Sequence, residues 1–166
     1  MVARAAGTGL ADTAHPPQGN TVTKISELMT RDVEVIEPDE TLQRAAQLLD
    51  ELNVGALPVC RGTRLVGMIT DRDITVRATA AGLSPNDTLV SEVMTEATRS
   101  CGPDESIEAV MKTMGDVQIR RLPVLDEHDA LVGIVSLGDL AVRQRGHTDR
   151  ALREISSPSQ PDRSIA

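Results

Sequence analysis

The chain has no phenylalanine, tyrosine or tryptophan among its 166 residues. A planar ligand would have to rest on aliphatic side chains and backbone, because there is no aromatic platform to stack it. Basic residues are outnumbered as well: 17 Lys and Arg against 25 Asp and Glu leave a formal net charge of −8. Nucleic acid, which needs basic patches and stacking surfaces, is excluded on both counts. The two cysteines are too few for a disulfide framework. No apolar run is long enough to cross a bilayer and none near Met1 has the form of a secretory leader, so the expectation is a cytoplasmic protein with no membrane partner. Catalytic groups are scarce too. His15 and His147 fall in polar terminal stretches and His128 in a turn, none placed as a general base. No Cys/His cluster has metal-ligand spacing, and Gly7-Thr8-Gly9 follows no strand, so it is no dinucleotide fingerprint. The reading is non-enzymatic, with no metal.

What the chain does have is itself, twice. Ile25-Ser-Glu-Leu-Met-Thr30 returns as Val90-Ser-Glu-Val-Met-Thr95, Pro38-Asp-Glu-Thr-Leu42 as Pro103-Asp-Glu-Ser-Ile107, and Leu57-Pro-Val59 as Leu122-Pro-Val124, all offset by 65. Leu65-Val-Gly67 returns at Leu131-Val-Gly133, offset by 66, so one residue has been added within the polar stretch 126–129. A single insertion in a turn, with register kept on both sides, is the mark of a duplicated folding unit. Cys60 aligns with Leu125 and Cys101 with Ile36, which makes both cysteines small buried hydrophobes.

The residues divide into a disordered arm (1–22), a first repeat (23–82), a linker (83–88), a second repeat (89–145) and a flexible tail (146–166) whose start is locally basic. Within repeat one, a helical turn at 26–29 precedes a strand at 33–36. Asp39 is a plausible N-cap for a helix whose apolar face is Leu42, Ala45, Ala46, Leu49 and Leu52, ended by Gly55. Strands 56–60 and 64–70 form a hairpin about Gly62, and a helix from Asp71 to about Ala80 stops at Gly82. Repeat two follows the same order: a strand near 98–101, a helix over about 104–114, a hairpin across 122–136 and a helix over 137–144. Each unit is β-α-β-β-α, too small to bury much alone, so a mixed α/β (α+β) pair joined through its sheets, with pseudo-twofold symmetry, is expected.

The sharpest local pattern closes each copy: Gly67-Met-Ile-Thr70-Asp-Arg-Asp73 and Gly133-Ile-Val-Ser136-Leu-Gly-Asp139. A hydroxyl ends a strand and an acid sits three positions later, in the first helical turn. One account is a capping box, although Asp is shorter than the usual Glu or Gln. The other is a nucleotide site, in which the helix start favours an anion and the acid accepts from a ribose diol. Both accounts stay open on these residues.

The β-α-β-β-α repeat, with Leu-Pro-Val at its middle and Gly-apolar-apolar-(Thr/Ser)-x-x-Asp at its end, resembles the CBS domain. The pair resembles the Bateman module over residues 24–145, and the chain is similar to the small stand-alone bacterial proteins of this type, including the mycobacterial hypoxic-response kind. The resemblance implies a regulatory module that binds AMP, ADP, ATP or S-adenosylmethionine between its repeats and forms a homodimer, with an unknown protein as a possible downstream target. It places ribose on the motif Asp and phosphate on the motif hydroxyl, giving Thr70 with Asp73 as one site and Ser136 with Asp139 as the other. Basic residues before Leu-Pro-Val reach phosphates in some relatives, and Arg120 and Arg121 stand there in repeat two against Gly55 and Ala56 in repeat one. The site with Asp73 is therefore favoured, and Val33, Ala56, Leu57 and Ile69 are its candidate adenine contacts. The alternative is a structural or protein-interaction module whose nucleotide sites are degenerate and empty.

Overall fold

The computed structural model describes residues 23–96 and 98–143. The arm at 1–22, the tail at 146–166, His15, His147, Gly7-Thr8-Gly9 and the expected helix end at Gln144 lie outside them.

In repeat one a 3₁₀ turn, Ile25–Glu27, is followed by an extended segment and then helix α1, Leu42–Glu51. The Thr41 hydroxyl caps this helix by accepting from Arg44 N at 3.2 Å. Asp39 is not the cap: the chain is still turning there, with Glu40 N bonded to Glu37 O, and the helix starts two residues later than expected. Its buried face is Leu42, Ala45 and Leu49, whereas Ala46 is exposed and Leu52 is 40% exposed at the helix end. Asn53, not Gly55, takes the left-handed conformation that closes the helix (φ 51°), and Val54 N returns to Leu49 O.

Strands β1, Ala56–Arg61, and β2, Arg64–Thr70, pair antiparallel about Gly62, which has φ 61°. Helix α2 begins at Asp71–Asp73 and widens at once into a π-helical stretch, Ile74–Thr79. Repeat two opens with α3, Val90–Val93, and a two-residue strand β3, Thr95–Glu96. Helix α4, Ile107–Asp116, is capped by Ser106, whose hydroxyl accepts from Ala109 N at 3.2 Å. The hairpin β4, Arg121–Leu125, with β5, Leu131–Ser136, leads into α5, Leu137–Arg143. Both hairpins shift register at the same place, Val59/Cys60 and Val124/Leu125, so the duplication extends to a bulge.

The expected strands at 33–36 and 98–101 shrink to single parallel bridges, Ile36 with Val59 and Cys101 with Val124. Only one residue of each makes the ladder bonds. Ile36 N donates to Pro58 O and Cys60 N to Ile36 O, while Cys101 N donates to Pro123 O and Leu125 N to Cys101 O. Proline follows closely in each copy, at Pro38 and Pro103, and cannot extend the pairing.

The repeats exchange their opening segments. Ile25 and Met29 are buried in the second core, with Ile107, Val110, Met114, Leu122, Val124 and Leu140. Val90 and Val93 are buried in the first, with Leu42, Leu49, Leu57, Val59 and Ile69. The backbone bonds match one for one. Ile25 N and Ser26 N donate to Glu105 O and Pro103 O, whereas Val90 N and Ser91 N donate to Glu40 O and Pro38 O. Strand β3 then adds to β2, and Thr30 bridges Ile134 on β5.

This exchange is why the two strand glycines are there. A Cβ on Gly67 would lie 2.8 Å from Thr95 O and 2.9 Å from Met94 Sδ, and one on Gly133 would lie 2.8 Å from both Thr30 O and Met29 Sδ. The hairpin tips also meet, with Leu131 N donating to Thr63 O at 3.0 Å. Among the described residues no helix is long and apolar enough to cross a membrane.

Candidate functional site

Strand β2 runs out at Thr70 and α2 begins on the next residue, so the motif sits where a hydrogen-bond ladder hands over to a helix start. The free backbone donors there are met by a complete reciprocal box. Thr70 N and Thr70 Oγ1 donate to Asp73 Oδ2 at 3.1 and 2.6 Å, and Asp73 N donates back to Thr70 Oγ1 at 3.0 Å. The second copy repeats this, with Ser136 N and Oγ donating to Asp139 Oδ2 at 2.8 and 2.6 Å and Asp139 N to Ser136 Oγ at 3.2 Å. Asp, although shorter than the usual Glu or Gln, completes the box. The hydroxyl itself bonds the carboxylate, which draws the acid in close enough to reach the strand-end amide.

This closure changes what each group can offer a ligand. The Thr70 proton is committed to Asp73, so the hydroxyl has acceptor capacity but no spare donor. Asp73 is 14% exposed, and its other oxygen, Oδ1, faces Arg77 Nη1 at 3.4 Å. Arg77 also donates to Val93 O at 2.8 Å, Met94 O at 3.2 Å and Thr95 Oγ1 at 3.0 Å. One guanidinium thus ties the motif acid to the segment where the second repeat crosses into the first.

In front of Asp73 lies a cleft of about 650 Å³, within the size range of small-molecule sites. Repeat one supplies Gly55, Ala56, Met68 and Thr70 to Asp73; repeat two supplies Thr95, Thr98, Arg99, Val117 to Arg121 and Pro123. Of the residues singled out in the sequence, Thr70, Asp73, Ala56, Arg120 and Arg121 are brought together here. The guanidinium of Arg121 approaches Gly55 closely, as does the Asp71 carboxylate: a Cβ there would be 3.5 Å from each.

The other candidates lie elsewhere. Ser136 and Asp139 do not line this cleft. Val33 lines a separate hollow at the hairpin tips, beside Cys60, Gly62 and Leu131. Leu57 and Ile69 are buried in the first core, because they sit on the inward face of the hairpin whose outward face carries Ala56 and Thr70. The place that Val33 was expected to fill beside Asp73 is taken by Thr98, its counterpart in repeat two, since the exchanged arms carry each opening segment to the other hairpin.

Arg72 and Arg99 went unread in the sequence although the same alignment exposes them: Arg72 stands against Gly138 and Arg99 against Glu34. Asp116, the nearest acid before the arginine pair in the sequence, is held by Lys112 at 2.8 Å.

Among the described residues no group of three or more His, Cys, Asp or Glu is placed to hold a metal ion. Cys60 and Cys101 are free and buried, and burial pushes their thiols up to about 11 and about 12, far from the thiolate that nucleophilic or ligand chemistry needs.

Comparison with known proteins agrees with this architecture. The CBS domain model matches residues 25–78 and 90–145. The CBS domain-containing protein YhcV of Bacillus subtilis is 46% identical over 137 residues, covering 81% of this chain and 96% of that protein. The crystal structure of Hypoxic Response Protein I, which holds two coordinated zinc ions, superposes with a TM-score of 0.68 at 39% identity over 74% of this chain and 99% of that one. The CBS domain pair of protein MJ0100, solved with 5′-methylthioadenosine and S-adenosyl-L-methionine, gives a TM-score of 0.65 at 27% identity over 73% and 94% of the two chains. With two matched repeats spanning most of its length and relatives of the same size and order, the chain belongs to the CBS-domain family as a tandem pair.

Proposed function

We infer that the protein is a non-catalytic regulatory module that binds an adenosine-bearing ligand in the cleft in front of Asp73. It acts in the cytoplasm as a homodimer that passes the bound state to a protein partner. The observation that carries this reading is convergence: the motif acid of one repeat and the arginine pair of the other line a single cleft. The MJ0100 pair binds two adenosine derivatives, which supports the ligand class. Adenine would lie on Ala56, Met68 and Ile119 in place of an aromatic shelf, with ribose hydroxyls donating to Asp73. Arg77 gives ligand binding a route to the repeat junction: a diol on Asp73 competes with the Arg77 pair, and Arg77 holds residues 93–95. A ligand favouring one arrangement of the halves shifts their population toward it.

A second reading, an interaction module with empty sites, is favoured by one specific observation: each motif acid already serves as a cap through its Oδ2. Substitution at Asp73 separates the two. In the sensor reading, Asp73→Asn folds normally and loses ligand affinity in calorimetry. In the other, Asp73→Ala loses about 1 kcal/mol of stability and no adenosine compound raises the melting temperature of the wild type. Mass spectrometry of small molecules carried through purification would name the occupant.

A further inference from the structure

We propose that the cleft is built for a ligand bearing a chain of two or more phosphates, and that each protein chain takes one. This rests on the adenosine reading above, under which the ligand is a nucleoside di- or triphosphate and not a monophosphate or a sulfonium nucleoside.

Four arginines line the cleft: Arg72 from α2, Arg99 from the segment after β3, and Arg120 and Arg121 from the approach to β4. All four are exposed. Among the described residues, the ion pairs engage Lys24, Arg44, Arg77, Lys112 and His128, and none of these four. The two carboxylates beside them form no ion pair with these arginines. Asp73 accepts from Thr70 and faces Arg77, and Asp71 Oδ1 accepts from Arg72 N at 2.6 Å.

A chain with a formal charge of −8 has thus gathered four unpaired guanidiniums around one hollow. Like charges brought together repel, and a bound polyanion relieves that repulsion. Guanidinium forks fit phosphate oxygens in pairs, and several forks on one ligand call for several phosphates. A phosphate monoester carries about two negative charges at neutral pH, and each further phosphate adds one. A sulfonium adds a positive charge and is repelled.

The Thr70 hydroxyl has no proton to spare for phosphate, so the arginines carry this recognition. In the other copy the four matching positions are Gly138, Glu34, Gly55 and Ala56, which supply no positive charge and one acid. Occupancy is therefore one per chain.

The test is calorimetry on the full chain without divalent cations, comparing adenosine, AMP, ADP, ATP, S-adenosylmethionine and inorganic tripolyphosphate. Affinity is expected to rise with phosphate number, with ATP about 100-fold tighter than adenosine or S-adenosylmethionine and a stoichiometry of one. Arg72→Gln and Arg99→Gln, on exposed side chains that hold no other group, each weaken ATP about tenfold and leave adenosine affinity and the unliganded melting temperature unchanged. Equal affinity for adenosine and ATP, equal loss of both in the variants, two equivalent sites, or no binding of any probe would overturn the proposal. Arginine-dependent binding of tripolyphosphate as tight as that of ATP, with adenosine silent, upholds the polyphosphate site and removes the adenosine reading.

Discussion

The two repeats share a scaffold and differ in charge. Helix caps, hairpin bulges, exchanged arms, strand glycines and hydroxyl–acid boxes all occur twice in matching geometry. The arginines that line the cleft do not match: Arg72, Arg99, Arg120 and Arg121 answer to Gly138, Glu34, Gly55 and Ala56 in the other copy. The scaffold residues are tied to each other by packing and backbone bonds, so changing one strains its partners. The cleft residues project into open space, where the copies have been free to diverge. Symmetry here marks what holds the fold, and the asymmetry is one of charge at the cleft.

The largest expected effect tests the symmetric half of that statement. Gly67→Val and Gly133→Val each force a side chain into a backbone carbonyl at 2.8 Å, and each should cost about 3 kcal/mol. Urea unfolding followed by circular dichroism reads this; a loss confined to one repeat would break the equivalence of the exchanged arms.

Next comes the asymmetric half. Asp73→Asn should weaken ATP binding about 10- to 100-fold, since a hydrogen bond to a charged group contributes about 1.5–3 kcal/mol. Asp139→Asn should leave affinity within about twofold, because independent sites do not couple. Equal losses in calorimetry would place ligand in both halves.

Smaller again, Thr70→Ala and Ser136→Ala should each lower stability by about 1 kcal/mol, alike in thermal melts, because both hydroxyls close the same box.

The smallest effect separates the hairpin turns. Asp126 accepts from the backbone of Ala130 and His128, which holds its carboxyl below the usual range, and the first copy uses Gly62 in place of such an acid. A carboxyl lowered by folding contributes stability above its unfolded pKa and loses it as pH falls through the folded value. Amide protection in the 126–130 turn, measured against the unstructured exchange rate at each pH, should therefore fall on acidification below the usual carboxylate range, while protection in the 61–64 turn stays unchanged; an equal fall in both turns would count against it.

Much of the fold was legible because internal repetition supplies a second reading of every element. The hairpins at 56–70 and 122–136, the burial of both cysteines and the order of helices and strands all follow from pattern and turn chemistry. The exchange of opening segments was not legible, because Ile25 and Val90 occupy equivalent positions and the sequence is the same whichever core each enters. That ambiguity also misplaced Val33, whose position beside Asp73 belongs to Thr98. The start of α1 was missed by two residues because Asp39 and Thr41 both suit a cap, and only the linker decides between them. Its Pro85 and Thr88 carbonyls accept from Gln43 N and Leu42 N. In the site, Arg120 and Arg121 were readable by comparing copies. Arg77 was not, since its partners are backbone carbonyls of another repeat.

The exchanged arms also set a timetable for synthesis. A chain leaves the ribosome from its first residue, at about 5–20 residues per second. The opening turn with Ile25 emerges early, yet its place is among Val124, Val135 and Leu140 near the far end. The first core, in turn, stays open until Val90 and Val93 arrive to close it. Neither repeat can finish alone: the first core closes once Val90 and Val93 have emerged, and the second waits on α5. The first turn to be made is the last to be seated.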